Sequence, residues 1–245
     1  MIDVHTHILP FVDDGSESLE ESFRMIEREI SLGITDIIIT SHALRLDLKK
    51  VSKQELIDAF TQFYTLVQQK YDVRLYLGQE IAYSDKMISL LKNKELLTIN
   101  NSEYLLLELP YDEPINDIDE VIFSCRILGY KVIIAHVERY YYYDFKKLVE
   151  LKKLGVLFQV NSNSITGRSG KNIQKTALKL IKGKMVELVG SDVHAFRHND
   201  MDEAFSLVSR RFGEEMADWL FSKNAKQLFN ILWYFRKTVE LTADF

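Results

Sequence analysis

The sequence predicts an α/β fold in which about seven parallel strands, each followed by a helix, close or nearly close into a barrel. Short apolar runs alternate with amphipathic stretches along the chain, and most of the runs are nearly continuous in apolar residues. Such runs are typical of parallel strands buried on both faces. The 245 residues suit one barrel domain over 1–245, because no linker or change of composition divides them. An open, doubly wound sheet is the alternative.

Each predicted element has a local signal. The predicted strands span residues 2–4, 36–40, 74–78, 104–107, 131–135, 156–160 and 186–189. Ser18 and Glu21 predict a capping box at the start of the first helix, and Gly33 predicts its end. Apolar residues recur at helical spacing in three segments: Leu19, Phe23, Ile26 and Ile30; Leu56, Phe60, Phe63 and Val67; Ala204, Val208 and Phe212. A C-terminal helical segment is predicted to cover the barrel with Leu228, Ile231, Leu232 and Phe235.

Composition excludes several classes of protein. Lys and Arg number 31 against 36 Asp and Glu, which gives a net charge of −5 and makes a nucleic-acid partner unexpected. The single cysteine, Cys125, excludes a disulfide framework and a Cys-rich zinc site, and it is predicted to be a packed apolar residue. The start, MIDVHTH, lacks a signal-peptide pattern, and no apolar stretch is long enough to cross a membrane. We therefore expect a cytoplasmic protein without direct membrane insertion.

The histidines share one kind of position. All 6 lie at or shortly after the C-terminal end of a predicted strand: His5, His7, His42, His136, His194 and His198. Glu80, Glu108 and Asp192 follow strands in the same way. In a parallel barrel these ends form one rim, where barrel active sites lie. A single histidine there is explained equally well as a core or cap residue, but the shared register favours one cluster.

Such a cluster predicts bound metal. Imidazoles and carboxylates gathered at one rim repel one another or lose hydration unless cations lie among them. His5 and His7 are two residues apart on an extended segment, so both rings point to the same side and reach one ion. Mixed nitrogen and oxygen donors suit Mn, Fe or Zn better than Ca or Mg, which prefer oxygen shells.

Several segments match one known pattern in order: His5-Thr6-His7, Asp13-Asp14-Gly15, Thr40-Ser41-His42, Gly78-Gln79-Glu80, Ala135-His136-Val137-Glu138-Arg139-Tyr140 and Gly190-Ser191-Asp192-Val193-His194. With these segments the chain resembles, over almost its whole length, the manganese-dependent protein-tyrosine phosphatases of capsular and exopolysaccharide operons in Gram-positive bacteria, which belong to the PHP superfamily. The resemblance implies a distorted (β/α)7 TIM-like barrel. It also implies a cluster of three Mn2+ ions, with Fe, Zn, Co or Mg able to take their place.

The resemblance further implies a role for each residue. The implied ligand sets are His5, His7, Glu80 and Asp192 for one ion, Glu80, Glu108 and His136 for a second, and Asp14, His42 and His194 for the third. Arg139 would clamp the phosphate oxygens with its planar guanidinium, and Arg197 would be the second clamp. Asp14 is also a candidate general acid for the leaving phenolate, and the choice between its two roles stays open.

The activity implied by the resemblance is hydrolysis of phosphotyrosine by a metal-activated water. The implied protein substrate is the tyrosine-rich tail of a membrane-associated autokinase that governs polysaccharide synthesis. Two alternatives stay open: a small-molecule phosphomonoesterase, such as a histidinol phosphatase, and a non-catalytic module that docks onto the kinase. A cysteine-based phosphatase is excluded, because Lys131 lies where such enzymes need an arginine after their cysteine.

Three loop features each have two interpretations. Residues 140–143, all tyrosine, predict either packing over the barrel rim or stacking on a phosphotyrosine ring. Residues 161–164, Asn-Ser-Asn-Ser, favour a helix cap over contact with substrate. Arg45, after the third histidine, is a candidate phosphate contact.

Overall fold

The computed structural model describes residues 1–231, and its strands follow the predicted pattern. All the predicted strands are present, with ends shifted by at most two residues, and two short strands are added. The strands are β1 (Ile2–Thr6), β2 (Asp36–Ile39), β3 (His42–Ala43), β4 (Arg74–Leu77), β5 (Glu80–Ala82), β6 (Tyr104–Glu108), β7 (Lys131–Ile134), β8 (Leu157–Asn161) and β9 (Leu188–Gly190).

The two short strands are continuations of their predecessors. All pairs between these strands are parallel, in the orders β1-β2-β4 and β3-β5-β6-β7-β8-β9. β3 continues β2 after a break at Thr40 and Ser41, and β5 continues β4 after a break at Gly78 and Gln79. The breaks stay aligned, because the Gly78 N–H donates to the Ile39 carbonyl at 2.8 Å. The two sheets are therefore parts of one strand succession.

Hydrogen bonds between the first and last strands close this succession. The Asp192 N–H donates to the His5 carbonyl at 2.8 Å, and the His7 N–H donates to the Val193 carbonyl at 3.0 Å. Gly190 permits the approach, since a Cβ at this position would lie 2.6 Å from the Cβ of His5. The predicted barrel is confirmed, and the open doubly wound sheet is wrong because its edge strands would not meet.

Helices and turns occupy the connections between the strands. The helices are α1 (Leu19–Ser31), α2 (Lys53–Lys70), α3 (Met87–Lys92), α4 (Ile118–Ile127), α5 (Phe145–Lys153), α6 (Ser162–Thr166), α7 (Lys171–Lys182), α8 (Met201–Phe212), α9 (Glu214–Asp218) and α10 (Asn224–Leu228). Short 3-10 turns span Ile99–Asn101 and Val137–Arg139, and a π-helical turn, Trp219–Lys223, joins α9 to α10. No helix among residues 1–231 is both long and apolar enough to cross a membrane.

Helix α1 departs from its prediction in two details. The Ser18 hydroxyl accepts the Glu21 N–H as expected, but the Glu21 carboxylate accepts the N–H of Glu17 at 2.7 Å instead of that of Ser18. Only half of the predicted capping box is therefore formed. Ile30 is exposed, whereas Glu29 is buried because its carboxylate accepts a hydrogen bond from Asn199. The buried face is thus rotated away from the predicted one.

One face of the strands fills the barrel interior. Ile133 belongs to an interior apolar cluster, whereas its neighbour Ile134 packs toward the helices, because successive strand side chains alternate. Phe229 and Ile231, both buried, join the interior cluster from the C-terminal segment. The predicted barrel cover is confirmed as far as residue 231. Leu232 and Phe235 lie outside the described residues.

An ion pair between the buried Asp36 and the half-exposed Arg74 joins β2 to β4. Asp36 is fully buried, and its two carboxylate oxygens accept hydrogen bonds from Arg74 at 2.6 and 2.7 Å. The Thr35 hydroxyl donates to the same group at 2.7 Å. Burial works against ionisation, but these hydrogen bonds outweigh it and hold the pKa of Asp36 below its ordinary value.

We expect Asp36→Asn to lower the free energy of unfolding by about 1–3 kcal/mol, because the amide removes one acceptor and the charge from this pair. Since folding lowers the pKa of Asp36, its contribution is complete above the ordinary pKa of 3.8 and is lost as the pH falls. Urea unfolding of both chains at about pH 7 and about pH 3 measures the difference, which should shrink in acid.

The matched control is Asp72→Asn, an exposed carboxyl just before β4 that makes no side-chain hydrogen bond within residues 1–231. It should change the free energy of unfolding by less than about 0.5 kcal/mol. A loss in the control as large as that of Asp36→Asn would contradict the role given to the pair.

Candidate metal centre

Five histidines meet at the C-terminal ends of the strands. The ring of His7 lies 4.4 Å from that of His42 and 4.1 Å from that of His194, centroid to centroid. His5 Nε2 lies 3.2 Å from His7 Nε2, and the rings of His5 and His136 are 5.7 Å apart. The predicted histidine cluster is therefore present. His198 alone stays outside it, with its side chain about half exposed and close to Asp200.

A bulge in β1 aims His5 into the cluster. Between Asp3 and Thr6, β1 has one residue more than its partner β2. Val4 packs in the barrel interior, so strict alternation would turn His5 outward. The extra residue cancels this alternation, and the His5 ring faces Gln159 across the barrel mouth, at 3.2 Å from Nδ1 to Oε1.

Glu80 is the carboxylate around which the imidazoles gather. Its Oε2 lies 3.1 Å from His5 Nε2, 3.3 Å from His7 Nε2 and 3.1 Å from His42 Nδ1. Its Oε1 lies 2.9 Å from His136 Nε2. Burial opposes ionisation, but the adjacent imidazoles outweigh it and lower the pKa of Glu80 well below its ordinary value. A carboxylate with neighbours on both oxygens has the arrangement of a bridging ligand.

The donors form three overlapping groups, each compact enough to hold an ion: His7, Asp14, His42 and His194; His5, His7 and Glu80; His42, Glu80 and Glu108. Asp192 Oδ1 adjoins the second group, at 3.8 Å from His5 Nε2. His136 Nε2 lies 3.9 Å from Glu108 Oε1, beside the third group. The structure thus brings together all the ligands expected from the sequence, and His7, His42 and Glu80 each belong to two groups.

Unpaired atoms in the cluster fit a cation. His42 Nδ1 and His194 Nε2 are buried beside carboxylate oxygens, but neither meets hydrogen-bond geometry with any group among the described residues. Burial lowers the pKa of His42 to about 4, so its imidazole is neutral and free to ligate. Burial and the charge of Glu80 raise the pKa of Glu108 to about 8. The two carboxylates therefore resist being ionised together when no cation lies between them. A neutral imidazole such as that of His42, among carboxylates, suits Mn, Fe or Zn.

Gln159 orients two of the predicted ligands. Its fully buried Oε1 faces His5 Nδ1 at 3.2 Å and accepts the His136 backbone N–H at 2.8 Å. Its Nε2 donates to Asn161 Oδ1 at 2.8 Å. Because an amide oxygen only accepts hydrogen bonds, its contact requires a proton on His5 Nδ1. The lone pair on His5 Nε2 is then free to bind an ion.

Asp13 and Tyr140 orient other ligands. Asp13 Oδ2 lies 2.9 Å from His7 Nδ1 and accepts the His42 backbone N–H at 3.0 Å. The buried Tyr140 hydroxyl lies 3.3 Å from His136 Nδ1. Sequence reasoning assigned no role to Asp13 or Gln159. For Asp13 the available signal was its place in the Asp-Asp-Gly turn, and for Gln159 it was a polar residue inside an apolar strand.

Both predicted clamp arginines reach Asp192. Arg139 Nη1 lies 2.9 Å and Arg197 Nη1 2.8 Å from Asp192 Oδ2, and Arg197 also donates to the Asp192 carbonyl at 3.0 Å. Asn161 Nδ2 donates to the same Oδ2 at 2.8 Å. Burial opposes ionisation, but His5 and the arginines outweigh it and hold the pKa of Asp192 well below its ordinary value. Asp192 therefore couples the cluster to the two cations at its rim.

Two ligand positions have strained backbones. His136 has φ of 33° and Asp192 has φ of 53°, in the left-handed region that side chains other than glycine rarely adopt. Both follow the end of a strand, and both turns are fixed by hydrogen bonds to the backbone: Gln159 holds the His136 N–H, and the His5 carbonyl holds that of Asp192. Strain held in this way is typical of functional sites.

Asp14 lies with the imidazoles. Its Oδ1 is 3.5 Å from His42 Nε2 and 3.4 Å from His194 Nε2. The pKa of Asp14 is lowered, and the adjacent His194 ring is the main cause. An ionised carboxylate facing imidazoles has the character of a metal ligand and makes a poor proton donor.

The loop features are placed as follows. Asn161 begins α6 but makes no side-chain cap, so the favoured cap interpretation is wrong; its amide binds Asp192 instead. Of the tyrosine run, Tyr140 is buried beside His136, while Tyr141 is exposed.

Arg45 pairs with Asp47 and lies 3.9 Å from Glu108. Cys125 is buried and unbridged, which confirms that it is a packed apolar residue.

Known proteins share this sequence and fold. A family model described as capsular polysaccharide synthesis, CpsB/CapC, matches residues 1–230. CapC of Staphylococcus aureus is 36% identical over 201 residues, which cover 80% of this chain and 77% of that protein. The tyrosine-protein phosphatase CpsB of Streptococcus agalactiae is 30% identical over 238 residues, 93% of this chain and 98% of that protein. Crystal structures of metal-dependent tyrosine phosphatases, YwqE of Bacillus subtilis and CpsB of Streptococcus pneumoniae, include a chain with a TM-score of 0.88 and 28% identity, with 97% of each chain covered.

We expect Gln159→Leu to weaken Mn2+ binding by about 10- to 100-fold, because His5 loses the acceptor that fixes its tautomer. Calorimetric titration of the metal-free chain with Mn2+ measures the affinity. The control is Asn224→Leu, which removes a buried amide that donates to the Glu187 carbonyl away from the centre. The control should lose stability but keep its Mn2+ affinity, and an equal loss of affinity in both variants would contradict a specific role for Gln159.

Proposed function

This chain belongs to the capsular polysaccharide synthesis family CpsB/CapC, and we propose that it is a metal-dependent phosphatase that hydrolyses phosphotyrosine in proteins. The family membership confirms the resemblance drawn from the sequence. The observation that carries the proposal is a buried set of imidazoles and carboxylates with two arginines at its rim, on the fold of metal-dependent tyrosine phosphatases.

The ligand sets are proposed as the resemblance implied them. Glu80 would bridge two ions, since both of its oxygens already face imidazoles. Manganese, when bound there, supplies Lewis acidity and a water with a lowered pKa. The chain's contribution is to fix the donors before binding: Gln159 orients His5, Asp13 orients His7, and Tyr140 orients His136. Each of these partners sets which ring nitrogen remains free.

The phosphate group is proposed to bind between Arg139 and Arg197. Each guanidinium carries five N–H donors, and Asp192 Oδ2 takes one from each side chain. The remaining donors suit the non-bridging oxygens, whose charge grows in the transition state. Asp192 thereby holds both arginines at a fixed position before substrate binds. Binding then does not cost the side-chain entropy of ordering them.

We assign Asp14 to ion binding and not to proton donation. Its carboxyl faces His42 and His194, and its lowered pKa keeps it ionised. Tyrosine is a tolerable leaving group without strong acid help, because its phenol has a pKa of about 10. The aromatic leaving group would lie toward the exposed Tyr141 at the barrel mouth.

The protein substrate that we propose is a membrane-associated bacterial tyrosine autokinase. The family is named for capsular polysaccharide synthesis, and its relatives are tyrosine-protein phosphatases, which supports a phosphotyrosyl protein of that system. The cytoplasmic location stays a prediction from the sequence.

Removal of metal should abolish hydrolysis of p-nitrophenyl phosphate, and Mn2+ should restore it, because the nucleophilic water depends on the ions. Addition of Ca2+ is the control and should restore little, since Ca2+ prefers oxygen shells. Activity that survives when elemental analysis finds no metal would contradict the proposal.

The loaded enzyme should also hydrolyse a phosphotyrosyl peptide with higher kcat/KM than histidinol phosphate, and the reverse order would favour the small-molecule phosphatase.

Arg139→Ala should lower kcat/KM on a phosphotyrosyl peptide by about 30- to 1000-fold, which is the loss of about 2–4 kcal/mol of transition-state stabilisation. The control is Arg210→Ala, an exposed arginine on the outer helix α8, which should stay within about twofold. If Arg139→Ala leaves hydrolysis unchanged but abolishes binding to the kinase, the chain is a docking module and not an enzyme.

A further inference from the structure

A groove leads away from the metal centre along one side of the barrel mouth. It lies between the segment from β3 to the start of α2 and the segment that contains α3, and it has a volume of about 720 Å³. His42 lines its inner end together with Arg45, whose Nη1 is 3.9 Å from Glu108 Oε2. The groove therefore opens directly onto the candidate metal centre.

The groove is positively charged although the chain as a whole carries −5. Its cationic lining residues are Arg45, Lys49, Lys50, Lys53, Lys86 and Lys94. Only two carboxylates line it, and local hydrogen bonds engage both: Glu55 accepts the Ser52 N–H at 2.8 Å, and Glu95 accepts from Asn93 at 3.0 Å. The ionisable residues that line the groove thus carry a net positive charge.

The floor and walls suit an extended chain. Leu48, Leu90 and Leu96 supply apolar surface inside the groove. The Lys53 ammonium donates to the Lys94 carbonyl at 3.1 Å, which ties the two walls together. Lys49, Lys50 and Lys86 are exposed and make no side-chain hydrogen bond or ion pair within residues 1–231. A concave groove with cations along its edges presents charge to a ligand lying inside it.

We propose that this groove binds the acidic segment that flanks the phosphotyrosine in the substrate protein. The proposal rests on the proposed function, because it is the phosphotyrosine at the metal centre that places the neighbouring residues over the groove. Carboxylates or further phosphates on that segment would meet the lysine ammonium groups, while its apolar side chains pack on the leucines. Attraction between exposed opposite charges of this kind mainly raises the rate at which the two proteins meet, and it weakens as the salt concentration rises.

A concave shape distinguishes a peptide from a membrane surface. A lipid surface is broad and meets cations that project from a flat or convex face, whereas here the leucines and the lysines line the same cavity. The groove volume of about 720 Å³ falls in the usual range of about 300–1,000 Å³ for ligand sites, which suits a few peptide side chains.

The test uses the Mn2+-loaded full chain and two phosphotyrosyl peptides of equal length, one flanked by glutamates and one by glutamines. The wild type should prefer the glutamate peptide by about tenfold in kcat/KM at low salt, and the preference should fade as ionic strength rises. The triple variant Lys49→Gln, Lys50→Gln, Lys86→Gln should lose this preference. Its hydrolysis of p-nitrophenyl phosphate, which has no flanking residues, should stay unchanged.

The matched control changes the same charge elsewhere. Lys171→Gln, Lys175→Gln, Lys182→Gln neutralises three exposed lysines of α7 and should keep the preference for the glutamate peptide. No preference in the wild type, or an equal loss in both triple variants, would overturn the proposal. A groove variant that loses p-nitrophenyl phosphate hydrolysis to the same degree would also overturn it, because the lysines would then serve the metal centre.

Two further results separate related explanations. If the wild type hydrolyses neither peptide nor p-nitrophenyl phosphate, the proposed function fails; if it hydrolyses both peptides equally, only the groove proposal fails. Binding to phosphatidylserine vesicles, compared with phosphatidylcholine vesicles, tests the membrane alternative. Loss of vesicle binding in the groove variant, with its peptide preference intact, would overturn the proposal in favour of a lipid surface.

Discussion

The crowding of carboxylates and imidazoles at one end of the barrel governs the rest of this structure. Glu80 is buried with four imidazole nitrogens within 3.3 Å of its oxygens, and Glu108 lies near enough for the charge of Glu80 to raise its pKa. The imidazoles keep Glu80 ionised, but burial and the charge of Glu80 make ionisation of Glu108 costly. The metal ions that we propose would relieve this cost, which gives a physical reason for the gathering of the donors at the barrel mouth.

The supporting contacts explain how the chain keeps such a cluster ordered. Gln159, Asp13 and Tyr140 each fix one ring, and Asn161 with two arginines fixes Asp192. Gln159 and Asn161 lie on β8, whereas Asp13, Tyr140 and the two arginines lie in the segments that follow β1, β7 and β9. Precision at a metal site depends on this outer layer as much as on the ligands, because a ring free to rotate presents the wrong nitrogen.

The sequence predicted the strands, the closed barrel and the gathering of histidines and carboxylates at one rim, because continuous apolar runs and residues at strand ends report directly on a parallel sheet. It did not predict the β1 bulge, the partial capping box at Ser18 or the role of Asn161. The last two depend on which of several competing partners a side chain binds: the Glu21 carboxylate accepts the Glu17 N–H instead of that of Ser18, and the Asn161 amide donates to Asp192. Sequence pattern alone does not decide between such partners.

Pairing of the first strand with the last has a consequence for biosynthesis. His5 is synthesised well before its partner Asp192, and the two become neighbours only when the barrel closes. A chain that has not yet reached Asp192 therefore lacks a complete centre. The metal ions that we propose would bind only the closed fold, so their affinity would add to the stability of the closed form over every partly folded one.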